Sequence, residues 1–170
     1  MEEKKRQFRR WKLSAIDLGQ AYSWVDYILE NELYLEEGAE DRTVGRGLQT
    51  AMIVTYCRPF SRNFERDHTA ATLDDSFLDV YSDRERAVHS RLLDLRNQIF
   101  AHTDSEARDL KISTSELACQ TIAWPRSHNP YPVMEQEELE TLKTMLEKLR
   151  GAISEKSIEL QKDLSPGEEF

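Results

Sequence analysis

The chain has 170 residues, of which 39% are hydrophobic and 32% charged, and its formal net charge is −9. This length corresponds to about one domain and is enough to bury a core. The small numbers of glycines and prolines, 6 and 5, favour a soluble helical protein over a disordered chain or a β-sandwich. The negative charge argues against general nucleic-acid binding, which depends on neutralising phosphates.

The charges are unevenly spread along the chain. Residues 1–12 carry six Lys or Arg against two Glu, whereas residues 135–170 carry ten acids against five bases. Two interpretations of residues 1–12 stay open, a local basic site and a solvated or frayed N-terminal extension. No stretch approaches the roughly 20 apolar residues of a membrane span, so we predict a cytoplasmic protein that makes no membrane contact.

Apolar residues follow helical spacing in two segments of the N-terminal half. In residues 13–35 they recur every three or four positions, which predicts a long helix with one buried face. A second helix is predicted from Val44 to Thr55, and Pro59 is expected to end it because proline cannot continue a helix. Its continuous apolar run "AMIVTYC" is predicted to lie deep in the fold.

The middle of the chain is predicted to be less regular. Residues 60–81 show no sustained period, which indicates an irregular surface connection. In "SDRE", the Ser82 hydroxyl can accept from the Glu85 amide while the Glu85 carboxylate accepts from the Ser82 amide, a capping box. A third helix is therefore expected from Ser82 to about Phe100 or His102.

The C-terminal part contains two further predicted elements. Residues 110–132 are rich in Ile and Thr and favour a short β-hairpin or an irregular arm, with a helix as the alternative for "STSELACQTI". Leucines spaced by three and four then predict a final helix of about 25 residues, packed in the bundle or paired with another subunit. The prediction is one all-α domain over residues 1–170, an up-and-down bundle of four to five helices with a disordered tail at 163–170.

The stretch "LRNQIFAHTD" holds the candidate chemistry. His89 and Arg96 are seven residues apart and share a helix face. The six-residue step from Arg96 to His102 puts the two side chains about 120° apart and about 9 Å along the axis of a regular helix. They can act together only if the helix loosens near Phe100 or if two chains combine.

A purely structural interpretation of the same residues also stays open. Arg96 can extend from an exposed face, Asn97 can bond locally, and His102 can interact with the last carbonyls of the helix. Cys57 and Cys119 lack a CxxC spacing or neighbouring histidines and are predicted to be reduced and buried. The aromatic residues near these positions are predicted to pack rather than to stack on bases: Tyr56, Phe60 and Trp124.

The sequence "LRNQIFAH" resembles the RNxxxAH form of the motif of HEPN domains (higher eukaryotes and prokaryotes nucleotide-binding). In that motif an Arg is followed by four to six residues and then a His, a pattern that Arg96, Asn97 and His102 match. The wider stretches "HSRLLDLRNQIFAHTD" and "YCRPFSRN" resemble small bacterial proteins related to the abortive-infection members of this family. The resemblance implies an all-α bundle that forms a homodimer, with two Arg and His pairs in one cleft.

In many members of that family the cleft is a metal-independent endoribonuclease, in a defence or toxin–antitoxin setting. The resemblance then implies that His102 moves the proton of the RNA 2′-hydroxyl and that Arg96 stabilises charge on the phosphoryl oxygens. Asn97 would donate to the phosphate or orient His102. His89 and Arg58 are supporting candidates, although Arg58 can equally bind a helix-end carbonyl.

The resemblance implies no metal and no cofactor, and its implied partners are RNA and an antitoxin or other protein. The alternative is a noncatalytic HEPN module that binds a nucleotide or a protein.

Overall fold

The computed structural model describes residues 2–35, 39–61, 63–64, 69–70, 72–97, 111–117, 120–126, 134–164 and 167. Over these ranges the chain is an all-α bundle with a short β-hairpin, as predicted. The bundle consists of α1 (Glu2–Glu30), α2 (Ala39–Cys57), α3 (Asp83–Leu95) and α4 (Gln136–Gln161). Two short 3-10 helices add to it, at Arg58–Phe60 and Asp75–Val80.

In the part of the chain that the structure describes, four strands form two antiparallel pairs. The two-residue strands β1 (Asn63–Phe64) and β2 (Thr69–Ala70) pair with each other. The longer pair is a hairpin of β3 (Lys111–Leu117) and β4 (Gln120–Arg126), which place Ser113 opposite Trp124. The hairpin predicted within residues 110–132 is confirmed, and the helical alternative for that segment is wrong.

The helix contacts define the arrangement of the bundle. α1 packs most extensively against α4 and next against α2, and α3 contacts α2 and α4. Because α1 and α3 share the same two neighbours, they lie at opposite corners of the bundle. The core between the helices is apolar, and its fully buried members include Leu18, Val25, Met52, Tyr56, Leu142 and Leu146.

The first helix is longer at its start and shorter at its end than residues 13–35. It begins at Glu2, and Trp11 is only 8% exposed, with its ring edge-on to Phe77 at 5.5 Å between centroids. The frayed interpretation is therefore wrong for residues 2–12, which form helix because their charged residues have good helix propensity and Trp11 reaches the core.

A Schellman motif stops α1 before Leu35. The Leu33 amide donates to the Ile28 carbonyl at 3.1 Å and the Glu32 amide to the Leu29 carbonyl at 3.3 Å. Glu32 takes a positive φ of 52°, a left-handed conformation that few residues other than glycine adopt. The helix therefore ends, and the chain changes direction, at Glu32. The spacing of the apolar residues does not indicate this position.

Part of the segment 60–81 packs into the core of the bundle. Leu73 and Phe77 are 2% and 1% exposed, and Tyr81 is also buried. The Asp74 side chain caps the 3-10 helix by accepting from the Ser76 amide at 2.8 Å. The prediction of an irregular surface loop is wrong for residues 72–81, whose apolar positions recur every four residues and close one side of the core.

The predicted start of the third helix is confirmed. The Ser82 amide donates to Glu85 Oε2 at 2.7 Å, and the Glu85 amide donates to Ser82 Oγ at 3.4 Å. Lys148 of α4 also donates to both carboxylate oxygens of Glu85, at 2.8 and 2.9 Å. Burial alone would raise the pKa of Glu85, but the bonds from Lys148 and Ser82 outweigh it and hold the pKa below its ordinary value.

Replacing Ser82 with alanine should lower the free energy of unfolding by about 1 kcal/mol, because the helix loses its cap and the Glu85 carboxylate loses a partner. Urea unfolding followed by circular dichroism measures the change. Ser90, which is exposed on the same helix, is the matched control. Ser90→Ala should stay within about 0.5 kcal/mol of the native protein. Equal losses for the two variants would contradict a capping role.

Candidate functional site

The Arg96 and Asn97 side chains follow the last regular turn of α3. The α-helix ends at Leu95, and both residues lie in a wider π-helical turn. Arg96 is partly exposed, and its Nη1 donates to Asn97 Oδ1 at 3.0 Å. Single π turns within helices are frequent at functional sites because they change the direction of the side chains. The local bond predicted for Asn97 is therefore made to Arg96.

His102 lies outside the described residues, as do all of residues 98–110. The predicted end of the helix near Phe100 or His102 falls in the same range. The relation between Arg96 and His102 therefore stays a prediction. The structure shows that the regular α-helix ends at Leu95, directly before Arg96, the first residue of the motif.

His89 is buried in an aromatic cluster at the interface of α2 and α3. Its Nδ1 lies 2.9 Å from the Tyr56 hydroxyl, and the Phe60 ring packs edge-on at 4.6 Å between centroids. The Tyr56 hydroxyl is also 3.4 Å from that of Tyr81. With 7% of its surface exposed, His89 is held away from solvent, and in this position it cannot contact a substrate directly.

Burial also controls the protonation of this cluster. Desolvation lowers the pKa of His89 and raises the pKa values of Tyr56 and Tyr81. All three side chains are therefore neutral near pH 7. A neutral imidazole has one donor and one acceptor nitrogen, so the bond between His89 and Tyr56 can form with either tautomer.

Arg58 bonds a carboxylate rather than a carbonyl. Its side chain is 50% exposed, and its Nη1 lies 3.3 Å from Asp17 Oδ1 of α1. The carbonyl oxygens at this helix end are satisfied by another residue, since Arg10 Nη2 donates to Arg58 O at 3.1 Å and to Pro59 O at 2.6 Å. The sequence did not predict this role of Arg10, because nothing in residues 1–12 indicates which of the basic side chains contacts the helix end.

Cys57 is the last residue of α2. It is buried and reduced, as predicted, and its thiol donates to the Leu92 carbonyl at 3.4 Å. Burial raises the pKa of the thiol to about 12, even though the positive charge of Arg96 acts in the opposite direction. The thiol is therefore unreactive near neutral pH. Cys119 lies outside the described residues.

The packing predictions for the aromatic residues have mixed outcomes. Tyr56 is fully buried and Phe60 packs against it at 5.6 Å between ring centroids, which confirms both as packing residues. The prediction for Trp124 is wrong, since its side chain is 52% exposed on β4 and its Nε1 donates to Ser115 Oγ at 2.9 Å. The reason is that β3 and β4 contact each other far more than they contact any helix.

A separate cleft of about 390 Å³ lies between α1 and α4. Its lining residues are Lys12, Ala15, Glu147, Arg150, Ile153, Ser154 and Ser157. The Ser157 hydroxyl is buried and has no hydrogen-bond partner among the residues that the structure describes. Arg150 lies over the Tyr22 ring at 5.4 Å, which holds the guanidinium beside the cleft. Of the predicted site residues that the structure describes, none lines this cleft.

Within the described ranges, no group of three or more His, Cys, Asp or Glu side chains is placed to hold a metal ion. The described helices include none that is both long and apolar enough to cross a membrane. Comparison of the chain with protein-family models, curated proteins and solved structures gives no match. The resemblance to HEPN domains therefore rests on the two sequence stretches Tyr56–Asn63 and His89–Asp104.

Proposed function

We propose that the chain is a metal-independent endoribonuclease of HEPN type, with a composite site formed by Arg96, Asn97 and His102 from two copies. The observation that supports this proposal is the hydrogen bonding of the Arg96 guanidinium. The guanidinium sits at a π-helical turn and bonds the neutral amide of Asn97, and no described carboxylate binds it. An arginine held in this way keeps its charge for an anionic ligand.

The mechanism assigns one role to each motif residue. His102 of one copy accepts the proton of the RNA 2′-hydroxyl as that oxygen attacks the neighbouring phosphorus. Arg96 stabilises the charge that develops on the phosphoryl oxygens. Asn97 holds the guanidinium through its amide oxygen, which leaves its amide nitrogen to donate to the phosphate. The second His102 protonates the departing 5′-oxygen, and the products are a 2′,3′-cyclic phosphate and a 5′-hydroxyl.

This activity suits a defence or toxin–antitoxin system, in which an antitoxin or other protein partner holds the nuclease in check. The net charge of −9 means that RNA binding must come from the local charge at the cleft rather than from the whole surface. The cleavage rate should therefore fall as the salt concentration rises.

The test is cleavage of end-labelled RNA in EDTA by the full-length protein. Arg96→Ala and His102→Ala should each lower the rate by at least about 100-fold, the usual size of a general acid–base or charge-stabilising contribution. Arg84→Ala is the matched control, because Arg84 lies on the same helix and forms an exposed ion pair with Glu137. Cleavage that persists without both motif residues, or that requires a metal, would contradict the proposal.

A second candidate is a noncatalytic module that binds a nucleotide. It is favoured by the cleft between α1 and α4, where Lys12 and Arg150 border a buried hydroxyl that lacks a described partner. Two cations and a free donor can bind a phosphate group.

The two candidates predict different behaviour. A binding module should shift its amide resonances around Arg150 on addition of a nucleoside monophosphate, and Arg150→Gln should abolish the shift. RNA cleavage should then be undetectable both in the native protein and in the Arg96→Ala variant. Loss of cleavage on Arg96→Ala with no phosphate-induced shift would support the nuclease alone.

A further inference from the structure

The outer face of α1 carries an apolar stripe. Leu13, Ile16 and Tyr27 are 47%, 67% and 51% exposed, and Trp24 lies beside them, partly buried against the core. At about 100° per residue, these four side chains fall within about 80° of one another, on the side of the helix that faces away from the bundle. Single exposed apolar residues are common, but an aligned group over four turns marks an interaction surface.

The stripe is symmetric about Gln20. Leu13 and Tyr27 each lie seven residues from Gln20, and Ile16 and Trp24 each lie four residues from it. Gln20 itself is exposed on the same face. If two copies of α1 pair in antiparallel orientation about a two-fold axis at Gln20, Leu13 of each copy meets Tyr27 of the other. Ile16 meets Trp24 in the same way, so every apolar residue is covered.

The charges on α1 fit the same arrangement. Residues 4–12 carry six bases, whereas residues 13–30 carry three acids and no base. Asp17 and Asp26 bind Arg58 and Lys143 of their own chain, so Glu30 is the acid of this half left to act across the interface. Antiparallel pairing about Gln20 places residues 9–12 of one copy opposite residues 28–31 of the other. Arg9 and Glu30, which are both exposed, come within reach across the axis. A parallel arrangement would set like charges together, so the charge pattern selects the antiparallel one.

We infer that α1 forms a self-interface, in which the stripe of Leu13, Ile16, Trp24 and Tyr27 pairs with the same stripe of a second copy. This interface goes beyond the proposed function, since α1 lies at the corner of the bundle opposite α3 and Arg96 follows α3. It is therefore distinct from a contact that joins two Arg96 sites. A protein that uses both contacts joins more than two copies, and it closes at four copies when the two-fold axes intersect at right angles.

Disulfide trapping tests the position of the axis. In an antiparallel helix pair, only the residue on the axis meets its own copy, so Gln20→Cys should crosslink into covalent dimers on mild oxidation. Glu3→Cys is the control, because two copies of residue 3 would lie about 50 Å apart along the helices. The native chain, treated with the same oxidant, gives the background crosslinking that arises from Cys57 and Cys119. No excess crosslinking at residue 20 over residue 3 would overturn the inference.

Sedimentation velocity tests the apolar contact. Ile16→Glu places a carboxylate in the interface between the two copies. Because this charge would lose its hydration there, the contact should break and the mass of the assembly should fall by half. Ile158→Glu is the matched control, because Ile158 is 58% exposed on α4, outside the stripe, and its replacement should leave the mass unchanged. Thermal unfolding of both variants checks that each is folded. A native protein that stays monomeric, or an Ile16→Glu protein of unchanged mass, would overturn the inference.

A charge exchange tests the orientation. Arg9→Glu and Glu30→Arg should each weaken assembly through like-charge repulsion, and the double variant should restore it. Failure of the double variant to recover would overturn the antiparallel register. The failures are distinguishable from those of the nuclease. Crosslinking at residue 20 should be equal with and without Arg96→Ala, whether or not the native protein cleaves RNA.

Discussion

Replacing Gly45 with alanine should destabilise the protein by about 1 to 3 kcal/mol, the usual cost of forcing an extra group into a packed site. A Cβ at Gly45 would lie 2.4 Å from the carbonyl oxygen of Leu33, well inside contact distance. That oxygen belongs to the Schellman turn that ends α1, so it cannot move without disturbing the connection to α2. The strain should therefore appear as lost stability rather than as a local rearrangement.

Gly47 provides a matched control two residues further along α2. A Cβ there has no neighbour within 4 Å, so alanine meets no steric obstacle. Gly47→Ala should stabilise the protein by roughly 0.5 to 1 kcal/mol, because glycine loses more backbone freedom than alanine on entering a helix. Urea unfolding of both variants measures the two effects. Changes of the same sign would contradict the close approach of Leu33 to Gly45.

Acid should weaken the fold through His89. Burial places the pKa of His89 in the folded state below the ordinary value of 6.5, so the unfolded chain binds more protons between these two pKa values. The contribution of His89 to stability is therefore complete above about pH 6.5 and is lost progressively as the pH falls toward the folded pKa. Each unit of pKa difference corresponds to about 1.4 kcal/mol.

The measurement compares unfolding free energies at pH 8 and pH 5.5. Native protein should lose stability over this range, and His89→Phe should lose less, because phenylalanine fills the aromatic cluster without titrating. Tyr56→Phe is the control, since it removes the hydrogen bond to His89 but keeps the imidazole buried. It should be less stable at both pH values and retain the pH dependence. A His89→Phe protein with the full native dependence would exclude His89 as its source.

Local signals in the sequence were sufficient for much of the fold. Apolar spacing located the helices, Pro59 marked the end of α2, and Ser82 with Glu85 marked the start of α3 through a bond between residues three positions apart. The hairpin was found from its β-branched composition. In each case the determining interaction lies within a few residues of the chain, so the pattern is visible before the fold is known.

The features that escaped prediction depend on distant contacts. Arg10 reaches carbonyls 48 and 49 residues away, which makes a charged N-terminal segment part of the packed bundle. His89 is buried by Tyr56, which lies 33 residues before it, so its spacing from Arg96 gave no indication of its environment. Trp124 stayed exposed because no described helix covers the hairpin. The resemblance to the HEPN motif predicted Arg96 and Asn97 as site residues but could not reveal the π-helical turn in which they lie.

The pairing of α1 with α4 has a consequence for how the chain folds. These two helices form the largest contact of the bundle, and Tyr22 of α1 bonds Glu147 of α4 across 125 residues. Lys4 of α1 also bonds Asp163, just after α4, across 159 residues. Such contacts form late, since closing long loops costs chain entropy before any packing is gained. During synthesis, α2 can cover part of the buried face of α1, but the part that packs against α4 stays uncovered until α4 has left the ribosome. The bundle therefore completes its core only once α4 is available, and until then its first helix is a target for chaperones.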